Sequence, residues 1–321
     1  METARITILM YHYVRDMPRS RYPQIKGLPI GEFRQQVEYV QDHYSVISAE
    51  QLIQAVTDGA DLPSKAALLT FDDGYLDHFT NVFPLLDAKG LPACFFPPAR
   101  CVLEREVLDV NKIHHVLASS SSPDEISDRL FELVEAWGGN KLRSRDEYRE
   151  AVAGSHRFDE PRVILIKRML QRELPDPLRT RILDHLFETC VDVSEEVLAE
   201  ELYMDLDQVR CMRRHGMYVG SHGDRHDWMN RLDPKEQQRD IDRSLEFLDQ
   251  VGTSLDRWIM CYPYGAHDAS LRRYLCERGC AVGLKTGAEV ADLSRDDPLA
   301  LPRLDTNDVP VTEDSPSSSS A

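Results

Sequence analysis

The chain has 321 residues, of which 42% are hydrophobic and 29% charged, and its formal net charge is −17 at pH 7. These values are typical of a globular protein with one large or two medium domains, and the negative charge argues against nucleic acid or an anionic membrane surface as a partner. No apolar run reaches the roughly 18 residues of a membrane-spanning helix, and the first residues show no signal peptide pattern. The 7 cysteines form no CxxC pair, so we expect reduced thiols and a cytoplasmic location.

The N-terminal third of the chain alternates between buried strands and amphipathic helices. Residues 5–14 are apolar and predict a first strand, which ends in Tyr11-His12-Tyr13. The stretch Ala66-Ala67-Leu68-Leu69-Thr70-Phe71-Asp72-Asp73-Gly74 predicts a buried strand that stops at two adjacent carboxylates. Further helices are predicted over residues 32–43, 49–56 and 81–89, and short strands over residues 45–48 and 93–97. This alternation predicts an α/β fold with a parallel sheet or barrel.

The pattern changes between about residue 104 and residue 210, where strand-like runs nearly vanish. Helical spacing appears instead over residues 125–137, 162–174, 177–190 and 205–215. We interpret residues 104–210 as a helical insertion into a single domain of residues 1–312, with a separate helical domain as the alternative. Long insertions at strand ends often flank a binding pocket, so we expect this one to cover or flank the pocket and to set substrate choice. Residues 313–321 are rich in serine and are predicted to be disordered.

Strand patterns return after the insertion, and polar groups follow four of the predicted strand ends. The predicted strands cover residues 217–220, 258–261, 280–284 and 299–304, with helices from Pro234 and over residues 269–278. The strand-end groups are His12, the Asp72-Asp73 pair, His222 with His226, and Tyr262-Pro263-Tyr264-Gly265. One carboxylate with two imidazoles is a facial ligand set that leaves open positions for water. A second carboxylate beside the metal can act as a general base.

Three of these motifs resemble, in chain order, those of the polysaccharide deacetylases, the NodB-homology group of carbohydrate esterase family 4. The motifs are Thr70-Phe71-Asp72-Asp73-Gly74, His222-x-x-x-His226 and Tyr262-Pro263-Tyr264-Gly265, and the resemblance covers residues 5–101 and 215–305. It implies a distorted (β/α) barrel and one divalent metal ion, usually zinc, and the helical insertion lies outside the resemblance. It also implies hydrolysis of the N-acetyl group of an amino sugar, a carbon–nitrogen bond other than a peptide bond.

The resemblance assigns a role to each matching residue. Asp72 matches the family's general base, and Asp73 matches its carboxylate metal ligand. His222 and His226 match the two imidazole ligands. The backbone N–H of Tyr264 matches the donor that stabilises the oxyanion.

Three departures from the family's pattern define the open questions. The third motif usually begins with an arginine that pairs with the base, and this chain has Cys261 there. No Leu-x-His motif near the C-terminus offers an acid, but Tyr11-His12 resembles a subgroup whose acid comes from the first strand, so we predict His12 as the acid. Arg303 is the candidate for the missing guanidinium. Gly223 replaces the usual Ser or Thr after the first metal histidine.

Two other classes of protein remain as alternatives to a deacetylase. An iron(II) oxygenase also uses two histidines and one carboxylate, but it does not explain the adjacent Asp72 or the Tyr-Pro-Tyr-Gly motif. A non-catalytic sugar-binding homologue would not need the complete ligand set. A cytoplasmic location would favour a precursor in polysaccharide or glycan biosynthesis as the N-acetylated sugar substrate. The sequence leaves the sugar and the oligomeric state open.

Overall fold

The structure is a computed structural model that describes residues 5–139, 142–152 and 159–310. The predicted disordered tail, residues 313–321, lies outside these ranges. The described chain divides into two compact units, the first made of residues 5–16, 27–105 and 200–310 and the second of residues 17–26 and 106–199. That residues 104–210 are an insertion into the barrel domain stays a prediction.

The first unit is built on strands that are buried on both faces, which is why they read as continuous apolar runs. Two of its seven-residue strands are β1 (Arg5–Tyr11) and β5 (Ala66–Asp72), and all seven residues of β5 are buried. The other strands are β2 (Val14–Arg15), β3 (Leu28–Pro29), β4 (Ser45–Val46), β6 (Cys94–Phe96), β7 (Tyr218–Val219), β8 (Trp258–Cys261), β9 (Cys280–Thr286), β10 (Ala291–Asp292) and β11 (Leu301–Asp305).

The main sheet runs in the order β7-β6-β5-β1-β11-β9-β8, and all neighbours in this order are parallel. A parallel bridge between Ser221 and Met260 joins its two ends, because Ser221 follows β7 and Met260 lies in β8. The bridge uses two hydrogen bonds, from Ser221 N to Ile259 O at 3.0 Å and from Cys261 N to Ser221 O at 2.8 Å. The sheet is therefore a distorted (β/α) barrel, with the carboxyl ends of its strands at one mouth.

The helices of the first unit begin and end at the signals that the sequence shows. Ser48 caps one helix through a reciprocal bond with Gln51, Asp233 caps another with Glu236, and Gly90 and Gly252 end helices in the left-handed region. The helices are α1 (Ile30–His43), α2 (Ala49–Asp58), α3 (Phe83–Lys89), α4 (Ala99–Leu103), α11 (Leu206–Arg214), α12 (Pro234–Val251) and α13 (Ala269–Glu277). One turn of π-helix, His78–Val82, precedes α3.

The regular elements described in the second unit are helices. They are a 3₁₀ helix at Met17–Arg19, α5 (Asp109–Ser119), α6 (Pro123–Trp137), α7 (Arg145–Ala151), α8 (Pro161–Arg168) with a π-helical turn at Met169–Glu173, α9 (Leu178–Cys190) and most of α10 (Glu195–Leu202). The sequence analysis missed α5, because Leu108 offers no capping side chain and the buried face of the helix carries Asn111 and Lys112. Among the described residues, no helix combines the length and apolar character that crossing a bilayer requires.

Candidate active site

Three residues converge at the mouth of the barrel as a potential metal site. Nε2 of His222 lies 3.4 Å, and Nε2 of His226 3.3 Å, from Oδ1 of Asp73. All three side chains are buried, and their ligand atoms lie within 4.8 Å of one another. Oδ1 of Asp73 has no hydrogen-bond partner among the described residues. A buried carboxylate oxygen facing two imidazole nitrogens is the donor set that a divalent transition metal prefers.

A turn of the backbone after the end of β5 changes the direction of the Asp73 side chain. Neighbouring side chains on a strand point to opposite faces, so Asp72 and Asp73 could not share a pocket in regular β geometry. Asp73 adopts a φ of 73° and Gly74 a φ of 68°, which turns the chain while the bond from Asp73 N to Phe96 O (3.1 Å) holds it to β6. A Cβ on Gly74 would lie 2.6 Å from Cβ of Pro97, so only glycine fits there.

Backbone strain is concentrated at this site. Five non-glycine residues in the described chain have positive φ, and three of them belong to the predicted motifs: Asp73, His226 (60°) and Tyr264 (58°). Such conformations cost about 1–3 kcal/mol each and persist where the surrounding structure enforces them. The outliers therefore mark the same residues that the motifs single out.

Outer hydrogen bonds orient two of the three ligands. Nδ1 of His222 donates to the carbonyl oxygen of Cys261 at 2.7 Å, which leaves Nε2, directed towards Asp73, as the ring nitrogen that could bind a metal ion. Oη of Tyr75 donates to Oδ2 of Asp73 at 2.7 Å, which leaves Oδ1 to face the histidines. Partners of this kind fix the ring tautomer and the carboxylate orientation of a metal ligand. The sequence analysis did not single out Tyr75, although it directly follows the Asp-Asp-Gly motif.

The loop that carries the two histidines is fixed by a buried carboxylate on α12. Oδ1 of Asp240 accepts the N–H of Asp224 at 3.0 Å, and its Oδ2 accepts that of Arg225 at 3.1 Å. A Cβ on Gly223 (φ 72°) would lie 2.5 Å from Oδ1 of Asp240. The carboxylate thus occupies the space beside position 223, which accounts for a glycine where the family usually has Ser or Thr. Burial raises the pKa of Asp240 to about 7, against the effect of these two N–H donors.

Asp72 is held by the guanidinium of Arg303 in a bidentate ion pair. Nη1 of Arg303 donates to Oδ1 at 2.8 Å and Nη2 to Oδ2 at 2.7 Å, and Nη1 also reaches Oγ1 of Thr70 at 3.1 Å. Both partners of the pair are about 1% exposed. Burial alone would raise the pKa of Asp72, but the charge and hydrogen bonds of Arg303 lower it to about 2. Arg303 thus stands where the resemblance requires a guanidinium, from β11 instead of from position 261.

The structure also brings Asp72, His222 and Cys261 close enough to form a second ligand set. This set fits a metal ion less well, because both oxygens of Asp72 already accept hydrogen bonds from Arg303. Burial raises the pKa of the Cys261 thiol even though the guanidinium of Arg303 lowers it, so the sulfur is protonated at neutral pH. The set that contains Asp73 is therefore the better candidate.

His12 lies beside Asp72 at the end of β1. Its Nε2 is 3.8 Å from Oδ2 of Asp72, and its side chain is 41% exposed. The neighbouring ring of Tyr13 stacks on Tyr75, with centroids 4.0 Å apart and planes at 15°. The structure therefore brings the predicted acid and the predicted base to the same pocket.

Tyr264 lies against the second histidine and a tryptophan. Its ring stacks on Trp228 with centroids 4.4 Å apart and planes at 8°, and meets the His226 ring edge-on at 4.7 Å. These ring contacts place Tyr264 beside His226, one of the three candidate ligands. Sequence reasoning missed Trp228, although it lies two residues after the second histidine.

These features define a class of protein: a (β/α) barrel whose mouth holds a two-histidine, one-carboxylate centre beside a second, ionised carboxylate. A family model described as polysaccharide deacetylase matches residues 59–127 and 177–283, together more than half of the chain. The chain belongs to the polysaccharide deacetylase family, as the sequence motifs predict.

The individual relatives match either a short stretch of the chain at higher sequence identity or most of the chain at low sequence identity. The poly-beta-1,6-N-acetyl-D-glucosamine N-deacetylase of Escherichia coli (strain K12) is 42% identical over 90 residues, which cover 28% of this chain and 13% of the relative. The Streptococcus pyogenes deacetylase PplD, solved in complex with acetate, superimposes with a TM-score of 0.58 at 16% identity, over 94% of this chain and 92% of that one. IcaB from Ammonifex degensii gives a TM-score of 0.54 at 18% identity, over 94% and 91% of the two chains. These structures confirm the predicted fold.

Proposed function

We propose that this chain is a metal-dependent hydrolase that removes the N-acetyl group from an amino sugar of a glycan. The observation that supports this most directly is Oδ1 of Asp73, buried against two imidazole nitrogens without a hydrogen-bond partner among the described residues. A divalent ion, with zinc as the first candidate, would be held by Asp73, His222 and His226 and would supply Lewis-acid activation of water and of the acetyl carbonyl.

The remaining tasks belong to residues of the chain itself. Asp72 accepts the proton of the attacking water, and Arg303 keeps that carboxylate ionised and oriented. The backbone N–H of Tyr264 donates to the oxygen on which negative charge develops. His12, as imidazolium, gives a proton to the departing nitrogen, because an amine is a poor leaving group without one.

The sugar is inferred from the relatives and from the class of reaction. The Escherichia coli relative is named as a deacetylase of poly-beta-1,6-N-acetyl-D-glucosamine, but the match spans about an eighth of that protein. We infer oligomers of β-1,6-linked N-acetylglucosamine as the first substrate to test. Nucleotide-linked N-acetyl sugars are the alternative that a cytoplasmic location would favour.

The test combines metal analysis with acetate release. Purified protein is expected to hold about one divalent ion per chain and to release acetate from at least one member of a panel of N-acetylglucosamine oligomers and nucleotide-linked N-acetyl sugars. Asp73→Ala should lose both the ion and the activity, and removal of dioxygen should change neither. Acetate release that needs dioxygen would favour the oxygenase. A metal-loaded protein that binds the sugars but releases no acetate would favour a sugar-binding homologue.

A further inference from the structure

The segment that carries His12 is tied to the turn that follows the Asp-Asp-Gly motif. Nε2 of His78 lies 2.8 Å from the carbonyl oxygen of His12, and Nδ2 of Asn81 donates to the carbonyl oxygen of Val14 at 2.8 Å. The side chains of Asp77 and Arg15 form an ion pair at 2.6 Å. Asp77, His78 and Asn81, which we call the clamp, therefore hold three of the four residues that follow Tyr11.

His78 is buried and neutral. It has 0% exposure, and its ring packs edge-on against Phe71 and Tyr75 with centroids 5.5 and 5.6 Å away. Burial lowers its pKa to about 4, although the His12 carbonyl favours the charged form. A neutral imidazole carries one N–H, and the contact with the His12 carbonyl places that N–H on Nε2. Nδ1 has no hydrogen-bond partner among the described residues.

An unpaired buried nitrogen is costly, and a phenylalanine would fill the same apolar space without it. For packing alone, the imidazole ring of His78 therefore offers little that an apolar ring would not. What it does contribute is one hydrogen bond to the backbone of His12. That bond starts from the single turn of π-helix at His78–Val82, and such turns occur frequently at functional sites.

The bond matters because the His12 side chain itself is loosely held. It is 41% exposed, and its Nε2 is 3.8 Å from Asp72, beyond hydrogen-bond distance. Its aim therefore depends on the position of its backbone. His78 lies five residues after Asp73 in the chain, so the clamp fixes the predicted acid relative to the predicted base and metal ligand.

We propose that His78 is a positioning residue for His12, which acts by holding the His12 carbonyl through Nε2–H and so aims the His12 ring at the departing nitrogen. This proposal rests on the proposed function, in which His12 is the acid. It predicts that loss of the His78 donor impairs the step that needs the acid and spares steps that do not.

The first test compares His78→Phe with wild type on two substrates. With the N-acetyl sugar amide, kcat should fall about ten- to a hundredfold, the range expected for a small misplacement of a reacting group. With an activated ester such as nitrophenyl acetate, whose leaving group needs no proton, turnover should change less than about threefold, and metal content should stay the same. In a His12→Ala background the same change should have no further effect on the amide rate.

Two more variants keep the test decisive if His78→Phe folds poorly. Asn81→Leu removes another bond of the clamp and should give the same amide-selective loss, smaller in size. Thr253→Val is the matched control, because Oγ1 of Thr253 is buried and donates to the carbonyl oxygen of Val219 at 2.9 Å. It removes a bond of the same kind in the same unit and should affect both substrates equally.

The outcomes separate this proposal from the proposed function. If His12→Ala gives an amide-selective loss and both clamp variants leave the amide rate unchanged, the clamp has no positioning role. Equal losses on amide and ester in the clamp variants would also overturn it, in favour of a purely structural role. If His12→Ala itself shows no amide-selective loss, His12 is not the acid, and the failure lies in the proposed function.

Discussion

The buried histidine of the clamp makes a specific prediction about stability and pH. His78→Phe keeps an aromatic ring in the pocket but removes a group that titrates differently in the folded and unfolded chain. Burial lowers the folded pKa to about 4, whereas the ordinary value is 6.5. Between these values the unfolded chain binds a proton that the folded chain excludes. The wild type should therefore lose stability as the pH falls through this window, and the variant should lack that loss.

The magnitude follows from the difference between the two pKa values. Each pKa unit corresponds to about 1.36 kcal/mol, so the full contribution of His78 is about 3 kcal/mol. Most of the change occurs above the folded pKa. Between pH 7 and pH 5, the free energy of unfolding of the wild type should fall by about 2 kcal/mol more than that of His78→Phe.

Urea unfolding at pH 7, 6 and 5 would measure this difference. Taking the variant relative to the wild type at each pH cancels the contribution of every other titrating group, including any metal ligand that the acid protonates in both proteins. An NMR titration of the His78 ring gives the folded pKa directly. If both proteins lose stability in parallel from pH 7 to pH 5, His78 is not a buried neutral histidine, and the reasoning about its tautomer is wrong.

Three further predictions concern a metal ligand, the base and the carboxylate that holds the loop of the two histidines. His222→Ala should lose the bound ion, and full metal occupancy in this variant would mean that the ligands are misassigned. Asp72→Asn should keep the ion and lose about 10²- to 10⁴-fold in turnover, the usual contribution of a general base; near-normal rates would remove Asp72 from that role. Asp240→Asn should weaken metal binding about tenfold by loosening the loop of the two histidines. An unchanged affinity, measured by competition with a chelator, would mean that the loop holds its shape without the carboxylate.

The parts of the fold that the sequence predicts are those in which local pattern and tertiary environment agree. Strand β5 is buried on both faces, so its apolar run is visible in the sequence, and the caps at Ser48 and Asp233 mark real helix starts. Helix α5 was missed because its buried face uses polar side chains that other helices satisfy. Lys112, for example, lies in ion pairs with Asp184 and Glu195, at 2.9 Å in both cases. The local sequence pattern around Lys112 does not indicate such pairs.

The candidate site likewise has parts that the sequence predicts and parts that it does not. Its ligands lie in contiguous motifs at strand ends, so spacing and chemistry identify them. The clamp and Asp240 could not be identified, because their partners, the Arg15 side chain and backbone atoms of other segments, are brought near only by the fold. Arg303 is an intermediate case: it is 231 residues from Asp72 in sequence, and the two meet because β5 and β11 flank β1 in the sheet.

The pair of Arg303 and Asp72 leads to the last prediction, for Arg303→Met. Burial raises the pKa of Asp72, but the two hydrogen bonds and the charge of the Arg303 guanidinium oppose this effect and hold the pKa at about 2. Without the guanidinium, burial dominates and the pKa of Asp72 rises. The acidic limb of the kcat/KM profile should therefore move to higher pH. At pH 7 the free energy of unfolding should fall by about 3–5 kcal/mol, the cost of leaving one member of a buried ion pair without its partner.

Arg303→Lys separates charge from geometry, because lysine keeps a positive charge but cannot form two parallel hydrogen bonds to a carboxylate. If charge alone matters, the lysine variant should keep both kcat and the position of the acidic limb near their wild-type values. If the two parallel hydrogen bonds from Arg303 are needed to orient Asp72 towards the attacking water, the acidic limb should stay in place while kcat falls. In the wild type, the stabilisation from the pair should be complete above about pH 4 and disappear as the pH falls towards 2, because the folded pKa of Asp72 lies below its unfolded value. An acidic limb that does not move in Arg303→Met would show that the ionisation of Asp72 does not control the reaction, and the base would then have to be sought among the other groups at the mouth of the barrel.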